Sequence, residues 1–315
     1  MKYSFVLPAY KILYFKEAID SILAQTYTDF ELIIVNDASP EDLEAIVKDY
    51  NDSRIRYYVN KQNLGGKDLV AQWNHCLEYA KSDYVILASD DDVYMPNYLE
   101  KMDILVDNNP DVDIFRPRIQ IVDENNCVKR IYDCINGKIG SFEFIYNLHL
   151  DNIGSAIGYY IINRKTLIAN GGFVNFPMAW GSDDATAILL SKNGVAFESE
   201  LLFSFRMSGV NISATYNYDM VRLKLKSSNL YYKFVKSYIS NFHREALPLN
   251  EVYYYDCIKA DLDNLIQRNT RFLIDKLSFV PAMKCIFDII SFEWVTAKFV
   301  FKRIARQLLK IISII

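Results

Sequence analysis

Three adjacent aspartates, Asp90, Asp91 and Asp92, directly follow the apolar run "YVILAS". Carboxylates this close together repel one another, and the repulsion is costly unless a positive charge lies among them. Mg²⁺ or Mn²⁺ would supply that charge, because such a cation takes one or two protein carboxylates and completes its shell with phosphate oxygens. A cation held there can act as a Lewis acid on a departing diphosphate. The alternative is a solvated acidic turn without a chemical role.

The elements around this triplet alternate between strand and helix patterns. Buried strands are predicted at "YSFVLPAY", "FELIIVND", "RIRYYVN" and "DYVILAS", with helices at "YFKEAIDSILAQTY", "SPEDLEAIVKDY" and "KDLVAQWNHCLEYAK". Ser39 is the predicted N-cap of the second helix, with Pro40 at its first position. The alternation predicts an α/β fold with a mostly parallel sheet flanked by helices. Ligands of such sheets bind beyond the carboxyl ends of the strands, where Tyr10, Asp37 and the three aspartates fall.

The rest of the chain is less regular. "DIFRPRIQIVDENNCVKRIYD" predicts a hairpin that turns at Asn125 and Asn126, and "IGYYIINRKTLIANGGF" predicts a strand, a helix and a Gly-Gly turn. A helix is predicted to begin at Ser182 and to end near Gly194, and residues 219–276 are predicted to be helical.

Composition narrows the possible functions. The net charge of −4 argues against binding to nucleic acid or other bulk polyanions. The five scattered cysteines indicate reduced thiols in a cytosolic protein rather than disulfides or a zinc site. Neither a Walker loop nor GxGxxG occurs, which argues against ATPase and dinucleotide-binding functions. The sequence contains no apolar, uncharged run of about 18 residues, so no membrane-spanning helix is predicted.

Five segments follow one another along the chain: "SFVLPAYKILYFKEAIDSILAQTYTDFELIIVNDASPED", "NLGGKDLVAQWNHCLEYAKSDYVILASDDDVYMPNYLEK", "NGGF", "WGSDDATAILLSKNG" and "FRMSGVNIS". Taken in this order, they resemble the inverting family 2 glycosyltransferases of the GT-A fold. The resemblance extends from Tyr3 to about Ser213, and it is carried by the order and spacing of the segments rather than by any one of them. It implies a GT-A domain over residues 1–215. The helical pattern that follows predicts a helical extension over 216–275, and the charge pattern beyond it predicts a basic amphipathic segment over 276–315.

The resemblance also implies how the donor is bound. Pro8, Ala9 and Tyr10 would line the nucleotide base, and Asp37 would accept a hydrogen bond from a base N–H, most naturally that of uracil. In the register set by Met95 and Pro96, Asp91 falls on the family's metal ligand and Asp90 on its ribose or donor-sugar contact. Asp92 is the alternative ligand, the metal is Mn²⁺ or Mg²⁺, and Lys67 is the candidate diphosphate contact. Three departures from the family pattern are Lys11 in place of Asn, Trp73 in place of Arg, and Ser89 in place of the first Asp. From the residues alone, Asp37 is also explained as a helix cap and Tyr10 as a core aromatic.

The pair Asp183 and Asp184 matches the acid pair of the family. One of them would be the general base that takes the proton from the acceptor hydroxyl in a single inverting displacement. Adjacent helical residues point about 100° apart, so only one can face the sugar. The resemblance favours Asp184, and the spacing leaves Asp183 open. Trp180 and Arg206 are the acceptor-side candidates, and packing is the alternative role for each.

The chain from Lys276 onward is basic, with seven Lys or Arg against two acids. Lys298, Lys302, Arg306 and Lys310 recur every four residues, so a helix there would carry them on one face. Such a helix is predicted to lie on an anionic membrane surface, at the cytoplasmic face. Packing on the catalytic domain, or against a second copy in an oligomer, is the alternative.

These observations together predict a metal-dependent glycosyltransferase, a hexosyl- or N-acetylhexosaminyl-transferase. The predicted donor is a nucleotide sugar, most naturally a UDP-sugar. The predicted acceptor is a growing bacterial surface glycan or a lipid-linked glycan. One alternative is a sugar nucleotidyltransferase, which needs a glycine-rich N-terminal loop that "LPAYKILYF" lacks. The other is a non-catalytic glycan-binding relative, against which the two intact acid clusters argue.

Overall fold

A computed structural model describes residues 1–209 and 216–312. The strands in these ranges are β1 Tyr3–Ala9, β2 Phe30–Asn36, β3 Ile55–Val59, β4 Tyr84–Leu87, β5 Val93–Tyr94, β6 Ile114–Asp123, β7 Val128–Ile131, β8 Gly137–Ile139, β9 Ile161–Asn163 and β10 Val195–Met207. The helices are α1 Phe15–Leu23, α2 Leu43–Lys48, α3 Leu69–Leu77, α4 Tyr98–Asn108, α5 Ser141–His149, α6 Arg164–Ala169, α7 Ser182–Leu190, α8 Tyr218–Ser240, α9 Leu249–Asp275, α10 Phe279–Ile289 and α11 Ala297–Ile312.

One sheet connects these strands in the order β3-β2-β1-β4-β9-β6-β10-β5. The pairings β2–β3, β1–β2 and β1–β4 are parallel, as the alternation of strands and helices predicts. Beyond β4 the sheet is mixed, because the short antiparallel strand β9 lies between β4 and β6. Two further strands lie outside this order: β7 pairs with β6, and β8 pairs with β10.

The core of the sheet lies at its parallel half. Every residue of β2 is buried, and all of β1 except Pro8 is buried. Strands covered by helices on both faces read as continuous apolar runs rather than alternating ones, which is why both were visible in the sequence. Helix α1 packs through Phe15, Ala18, Ile19 and Ile22, at helical spacing.

Helix α2 begins later than predicted. Its N-cap is Asp42, whose side chain accepts a hydrogen bond from the Ala45 N–H. The predicted cap Ser39 instead accepts from the Glu41 N–H at 3.1 Å and donates its hydroxyl to the Tyr10 carbonyl at 2.6 Å. Ser39 therefore joins the ends of β1 and β2, and the N-cap prediction for it is wrong.

The predicted hairpin and helices of the later chain are confirmed. Strands β6 and β7 are antiparallel and connected through Asn125 and Asn126. Gly171 and Gly172 form the predicted turn with φ of +87° and +86°, which side chains rarely adopt. The proposed domain boundary at residue 215, and residues 210–213 of "FRMSGVNIS", lie outside the described ranges.

The C-terminal helices pack against the sheet domain and against one another. Helix α9 lies against α5 and α8, and α11 lies against α9 and α10. The inner side of α11 carries the buried residues Phe299, Arg303 and Gln307, and Arg303 pairs with Asp275 at 2.8 Å. In the part of the chain that is described, no helix has the length and apolar character needed to cross a bilayer.

Candidate active site

A cleft of about 790 Å³ opens at the carboxyl ends of β1, β2 and β4. This volume lies within the range of roughly 300–1,000 Å³ that is typical of small-ligand sites. The opposite wall comes from α7, α8 and α9, so the helical extension is part of the site. The predicted site residues that line the cleft are Pro8, Ala9, Tyr10, Asp37, Asp90, Asp91, Asp92, Trp180, Asp183 and Asp184.

Asp37 is buried directly after β2 and holds the loop that follows β3. Its Oδ1 accepts from the Asn60 side chain and from the Leu64 N–H, both at 2.8 Å, and its Oδ2 accepts from the Gly65 N–H at 2.7 Å. A Cβ on Gly65 would lie 3.0 Å from that Oδ2, so glycine permits the close approach. The carboxylate fixes a glycine-rich edge of the cleft, and its role toward a base stays a prediction.

Asp90 joins the end of β4 to the end of β1. Its Oδ2 accepts from the N–H groups of Tyr10 and Lys11, at 3.1 Å and 3.0 Å. Burial, and then the neighbouring charge of Asp91, raise the pKa of Asp90, and the two N–H donors oppose that shift. Tyr10, 42 % exposed, is thereby held at the mouth of the cleft.

Asp91 and Asp92 complete what we call the 90–92 turn, and Arg206 supports it from behind. The Asp91 carbonyl accepts from Arg206 Nε at 2.8 Å, and Asp92 Oδ1 accepts from the Arg206 backbone N–H at 2.8 Å. The Ser89 hydroxyl donates to the Asp91 carboxylate. A Cβ on Gly158 would lie 3.3 Å from Asp92 Oδ2, so glycine at this position permits the close approach of the carboxylate.

The charge of the 90–92 turn suits a cation. Burial, and then the charge of Asp91, raise the pKa of Asp92 well above its ordinary value, so the three carboxylates resist being ionised together. A divalent cation would relieve that resistance, and Asp91, which lines the cleft and accepts from the Ser89 hydroxyl, is the predicted ligand. Within the described ranges no group of three or more His, Cys, Asp or Glu is arranged to hold a metal ion. Mg²⁺ and Mn²⁺ need only one or two carboxylates where phosphate oxygens complete the shell.

Asp183 and Asp184, the 183–184 acid pair, lie at the start of α7. The Ser155 hydroxyl donates to Asp183 Oδ2 at 3.1 Å and to Asp184 Oδ1. Asp183 Oδ1 also accepts from the Asp184 N–H at 3.0 Å, so both of its oxygens are bonded. For Asp184 Oδ2 no partner is found among the described residues. Of the two acids, Asp184 has the oxygen that an acceptor hydroxyl could approach.

Burial also sets the protonation of this pair. It raises the pKa of Asp183, and burial together with the Asp183 charge raises the pKa of Asp184 to about 8. A base of this strength in a cleft takes a proton near neutral pH far better than an ordinary aspartate does. The structure brings the acid pair and the 90–92 turn to one cleft.

Two predicted site residues do not line the cleft. Lys67 is exposed on the loop before α3. Arg206 is 1 % exposed and lies behind the 90–92 turn, where it pairs with Glu17 at 2.8 Å and stacks over the Tyr14 ring. Its contacts are those of a supporting residue rather than of an acceptor contact.

Other cleft residues were not predicted from the sequence. Lys11 lines the cleft beside Asp90, although the sequence marks it only as a departure from the family pattern. Ser155 lies in an irregular stretch that has no motif. Lys224 of α8 is fully buried with its Nζ 4.6 Å from the centre of the Trp180 ring, and burial lowers its pKa to about 8. Lys224 reaches the cleft because of how α8 packs against its neighbours, and the local sequence does not encode that packing.

Comparisons with known proteins agree with this arrangement. The model of glycosyl transferase family 2 matches residues 4–172, more than half of the chain. An uncharacterized glycosyltransferase of Methanocaldococcus jannaschii is 36% identical over 115 residues, 36% of this chain and 39% of that protein. The putative glycosyltransferase EpsE of Bacillus subtilis is 42% identical over 88 residues, 27% of this chain and 31% of that protein. The chain thus spans between 31% and 39% of the length of these two relatives.

Longer matches exist at lower identity. An uncharacterized glycosyltransferase of Haemophilus influenzae is 26% identical over 259 residues, 77% of each protein. Among solved structures, S. aureus TarS in complex with UDP-GlcNAc superposes with a TM-score of 0.58 at 18% identity, over 87% of this chain and 84% of that one. TarS in complex with UDP gives 0.57 at 17% identity, over 98% and 91%. At these identities the structures show a shared fold, which is the GT-A arrangement.

Proposed function

The chain belongs to glycosyl transferase family 2, and on that premise we propose that it transfers a sugar from a nucleotide-sugar donor, with inversion, to a hydroxyl of a growing surface glycan or lipid-linked acceptor. The observation that carries this proposal is the meeting of two acid clusters in one cleft. The 90–92 turn follows β4, and the 183–184 acid pair begins α7. The 90–92 turn is suited to binding a cation with a diphosphate, and the 183–184 acid pair is suited to accepting a proton.

The donor would lie along the ends of β1, β2 and β4. Pro8, Ala9 and Tyr10 offer an apolar and aromatic edge for a base, and Asp37 fixes the facing Gly65 loop. The complexes of TarS with UDP and UDP-GlcNAc support a UDP-sugar, with transfer of a hexosyl or N-acetylhexosaminyl group. Mn²⁺ or Mg²⁺, held through Asp91 with Asp92 as the alternative ligand, would neutralise charge on the leaving diphosphate.

The proton would go to Asp184. The acceptor hydroxyl approaches Oδ2 of Asp184, gives up its proton to it, and its oxygen forms the new bond to the anomeric carbon. The bond from that carbon to the diphosphate oxygen breaks at the same time, and its electron pair leaves with the diphosphate. Asp183, bonded through both oxygens, would hold the start of α7 in place. Attack from the face opposite the leaving group inverts the anomeric configuration.

The outer side of α11 supports a peripheral location on the cytoplasmic face of the membrane. Lys298, Lys302 and Arg306 are exposed there, next to the exposed side chains of Phe301 and Leu309. Interleaved cations and apolar groups on one helix surface suit an anionic bilayer interface. Lys310, by contrast, donates to the Asp275 carbonyl at 2.7 Å and so fastens the helix to the domain.

Vesicle sedimentation tests that location. Wild-type protein is expected to sediment with vesicles containing about one third anionic lipid and to stay in solution with neutral vesicles. Reversing the charges of Lys298, Lys302 and Arg306 to Glu should abolish sedimentation. The matched control reverses Lys165, Lys192 and Lys226, which are exposed elsewhere. Equal losses in the two triple variants, or no sedimentation of wild type, would contradict the proposal.

Release of UDP from UDP-GlcNAc in the presence of Mn²⁺ tests the enzymatic proposal. Release that needs Mn²⁺, stops on adding EDTA and produces free sugar or transferred sugar supports a glycosyltransferase. Binding of UDP-GlcNAc without turnover would favour a non-catalytic relative. Formation of a nucleotide sugar from UTP and a sugar phosphate would favour a nucleotidyltransferase.

A further inference from the structure

Arg116 is a buried cation that forms no ion pair among the described residues. It lies on β6, 1 % exposed, with its guanidinium 4.6 Å and 5.2 Å from the ring centres of Tyr159 and Phe197. It donates to the carbonyls of Ile153 and Gly154, the second at 3.3 Å. A buried charge without a carboxylate partner is costly to keep, which points to a role for Arg116 beyond packing.

The two carbonyls that Arg116 holds come immediately before Ser155. Gly154 has φ of +69°, and a Cβ there would lie 2.6 Å from the Tyr132 ring, so this backbone conformation requires glycine. The Ser155 hydroxyl, held by that segment, donates to both acids of the 183–184 acid pair. Arg116 is therefore connected to the acid pair through three consecutive residues, 153–155.

Arg116 and Ser155 affect Asp184 more than Asp183. Asp183 already accepts the Asp184 N–H, whereas Ser155 is the hydrogen-bond donor to Asp184 among the described residues. The positive charge of Arg116 also opposes the burial that raises the pKa of Asp184. Arg116 is not among the causes of the raised pKa of Asp183.

We propose that Arg116 and Ser155 are positioning residues that hold Asp184, rather than Asp183, as the proton acceptor of the cleft. Arg116 fixes the segment 153–155, and Ser155 orients Oδ1 of Asp184 so that Oδ2 faces the acceptor. Neither residue touches the reacting atoms. The reaction itself rests on the proposed function, whereas the effect of the two residues on Asp184 does not.

The test follows the ionisation of Asp184 without relying on turnover. Melting temperatures are measured from pH 5 to 10 for wild type, Arg116→Met, Arg116→Lys and Ser155→Ala, each with and without Asp184→Asn. The difference within each pair reports the ionisation of Asp184. Arg116→Met removes a positive charge and Ser155→Ala removes a donor to the carboxylate, so both should move the midpoint upward by about one pH unit. Arg116→Lys keeps the charge but loses the forked contact to both carbonyls, so its midpoint should lie between those of wild type and Arg116→Met.

Ser4→Ala is the matched control, because it removes a buried hydrogen bond to Glu31 and touches neither Arg116 nor residues 153–155. It should lower the melting temperature and leave the midpoint unchanged. An unchanged midpoint in both Ser155→Ala and Arg116→Met would overturn the proposal and leave the two residues a structural role. If Arg116→Met does not fold, Ser155→Ala decides.

Kinetics separate this proposal from the proposed function. Where UDP-GlcNAc is turned over, the acid limb of the pH profile of kcat/KM should move upward with the melting midpoint in the same two variants. If wild type turns over no UDP-GlcNAc, the proposed function fails with this donor, and the melting midpoints still decide whether Arg116 and Ser155 act on Asp184.

Discussion

The 90–92 turn and the 183–184 acid pair both crowd buried or half-buried carboxylates into one cleft, but their hydrogen-bond donors are arranged differently. In the turn, Asp90 and Asp92 each accept hydrogen bonds from backbone N–H groups of other strand ends, and Arg206 bonds to the backbone of the turn itself. Asp91 accepts from the Ser89 hydroxyl, whereas in the acid pair the single hydroxyl of Ser155 is shared by Asp183 and Asp184. Backbone donors keep the flanking charges of the turn at fixed positions, whereas a hydroxyl shared by two carboxylates can turn toward the one that is ionised. The first arrangement suits holding a cation, and the second suits moving a proton.

The largest expected difference lies within the acid pair. Asp184→Asn should lower kcat by about 10²–10⁴-fold, because it removes the general base. Donor affinity should change little, since Asp184 lies on the acceptor side in our assignment. Asp183→Asn is the matched variant, and its loss should be at least tenfold smaller. Steady-state rates of UDP release compare the two, and a larger loss in Asp183→Asn would reverse the assignment of the base.

The support behind the 90–92 turn can be removed without touching its acids. Arg206→Met should lower the free energy of unfolding by about 3 kcal/mol. It removes the buried guanidinium and takes that partner away from the Asp91 carbonyl and the Glu17 carboxylate. Glu17→Gln removes only the partly exposed ion pair and should cost less than about 1 kcal/mol. Urea unfolding measures both. Similar losses in the two variants would mean that Arg206 acts through Glu17 rather than through the turn.

The protonation of the acid pair should be visible in stability. With a pKa of about 8 in the folded protein, Asp184 keeps its proton where the unfolded chain has released it, from about pH 4 upward. The folded state then binds more protons, so stability falls as pH rises toward 8 and levels off above it. Asp184→Asn should lack this component and be more stable than wild type above pH 8, by roughly 1–2 kcal/mol. Parallel melting curves at pH 5, 7 and 9 would contradict this.

The smallest expected effect separates two lysines near the 90–92 turn. Lys11 lines the cleft next to Asp90, whereas Lys67 is exposed outside it. Lys11→Ala should weaken binding of UDP by up to about tenfold, and Lys67→Ala by less than about twofold, because an exposed charge is screened by salt. Calorimetric titration measures both. A larger effect of Lys67→Ala would restore the contact that the family resemblance implies.

The sequence was most informative where a whole strand is buried and its residues form a continuous apolar run. The buried runs of β1, β2 and β4 have a recognisable pattern, and ligands of parallel sheets bind at carboxyl strand ends, so the residue order alone places Tyr10, Asp37 and the 90–92 turn in one cleft. The resemblance to a family added Asp183 and Asp184. Each of these residues is at the end or start of a regular element.

Contacts between distant segments were the part that the sequence did not reveal. Ser155 approaches Asp184 because Arg116 of β6 holds its loop, and Lys224 reaches the cleft because α8 packs beside α7. No local pattern encodes such pairings. The N-cap at Asp42 in place of Ser39 is a smaller case, since several residues of "NDASPED" can cap a helix. Ser39 is engaged instead with the Tyr10 carbonyl, to which it donates, and with the Glu41 N–H, from which it accepts.

The most direct measurement is a calorimetric titration of UDP, in Mn²⁺ and in EDTA, into wild type, Asp91→Asn and Asp184→Asn. We predict binding that needs Mn²⁺ in wild type and in Asp184→Asn, and a loss of at least about tenfold in Asp91→Asn. Metal-dependent binding of GDP or CDP in place of UDP would leave the cation site and change the role assigned to Asp37. Equal binding in all three proteins, or binding indifferent to Mn²⁺, would contradict the division of work between the 90–92 turn and the 183–184 acid pair.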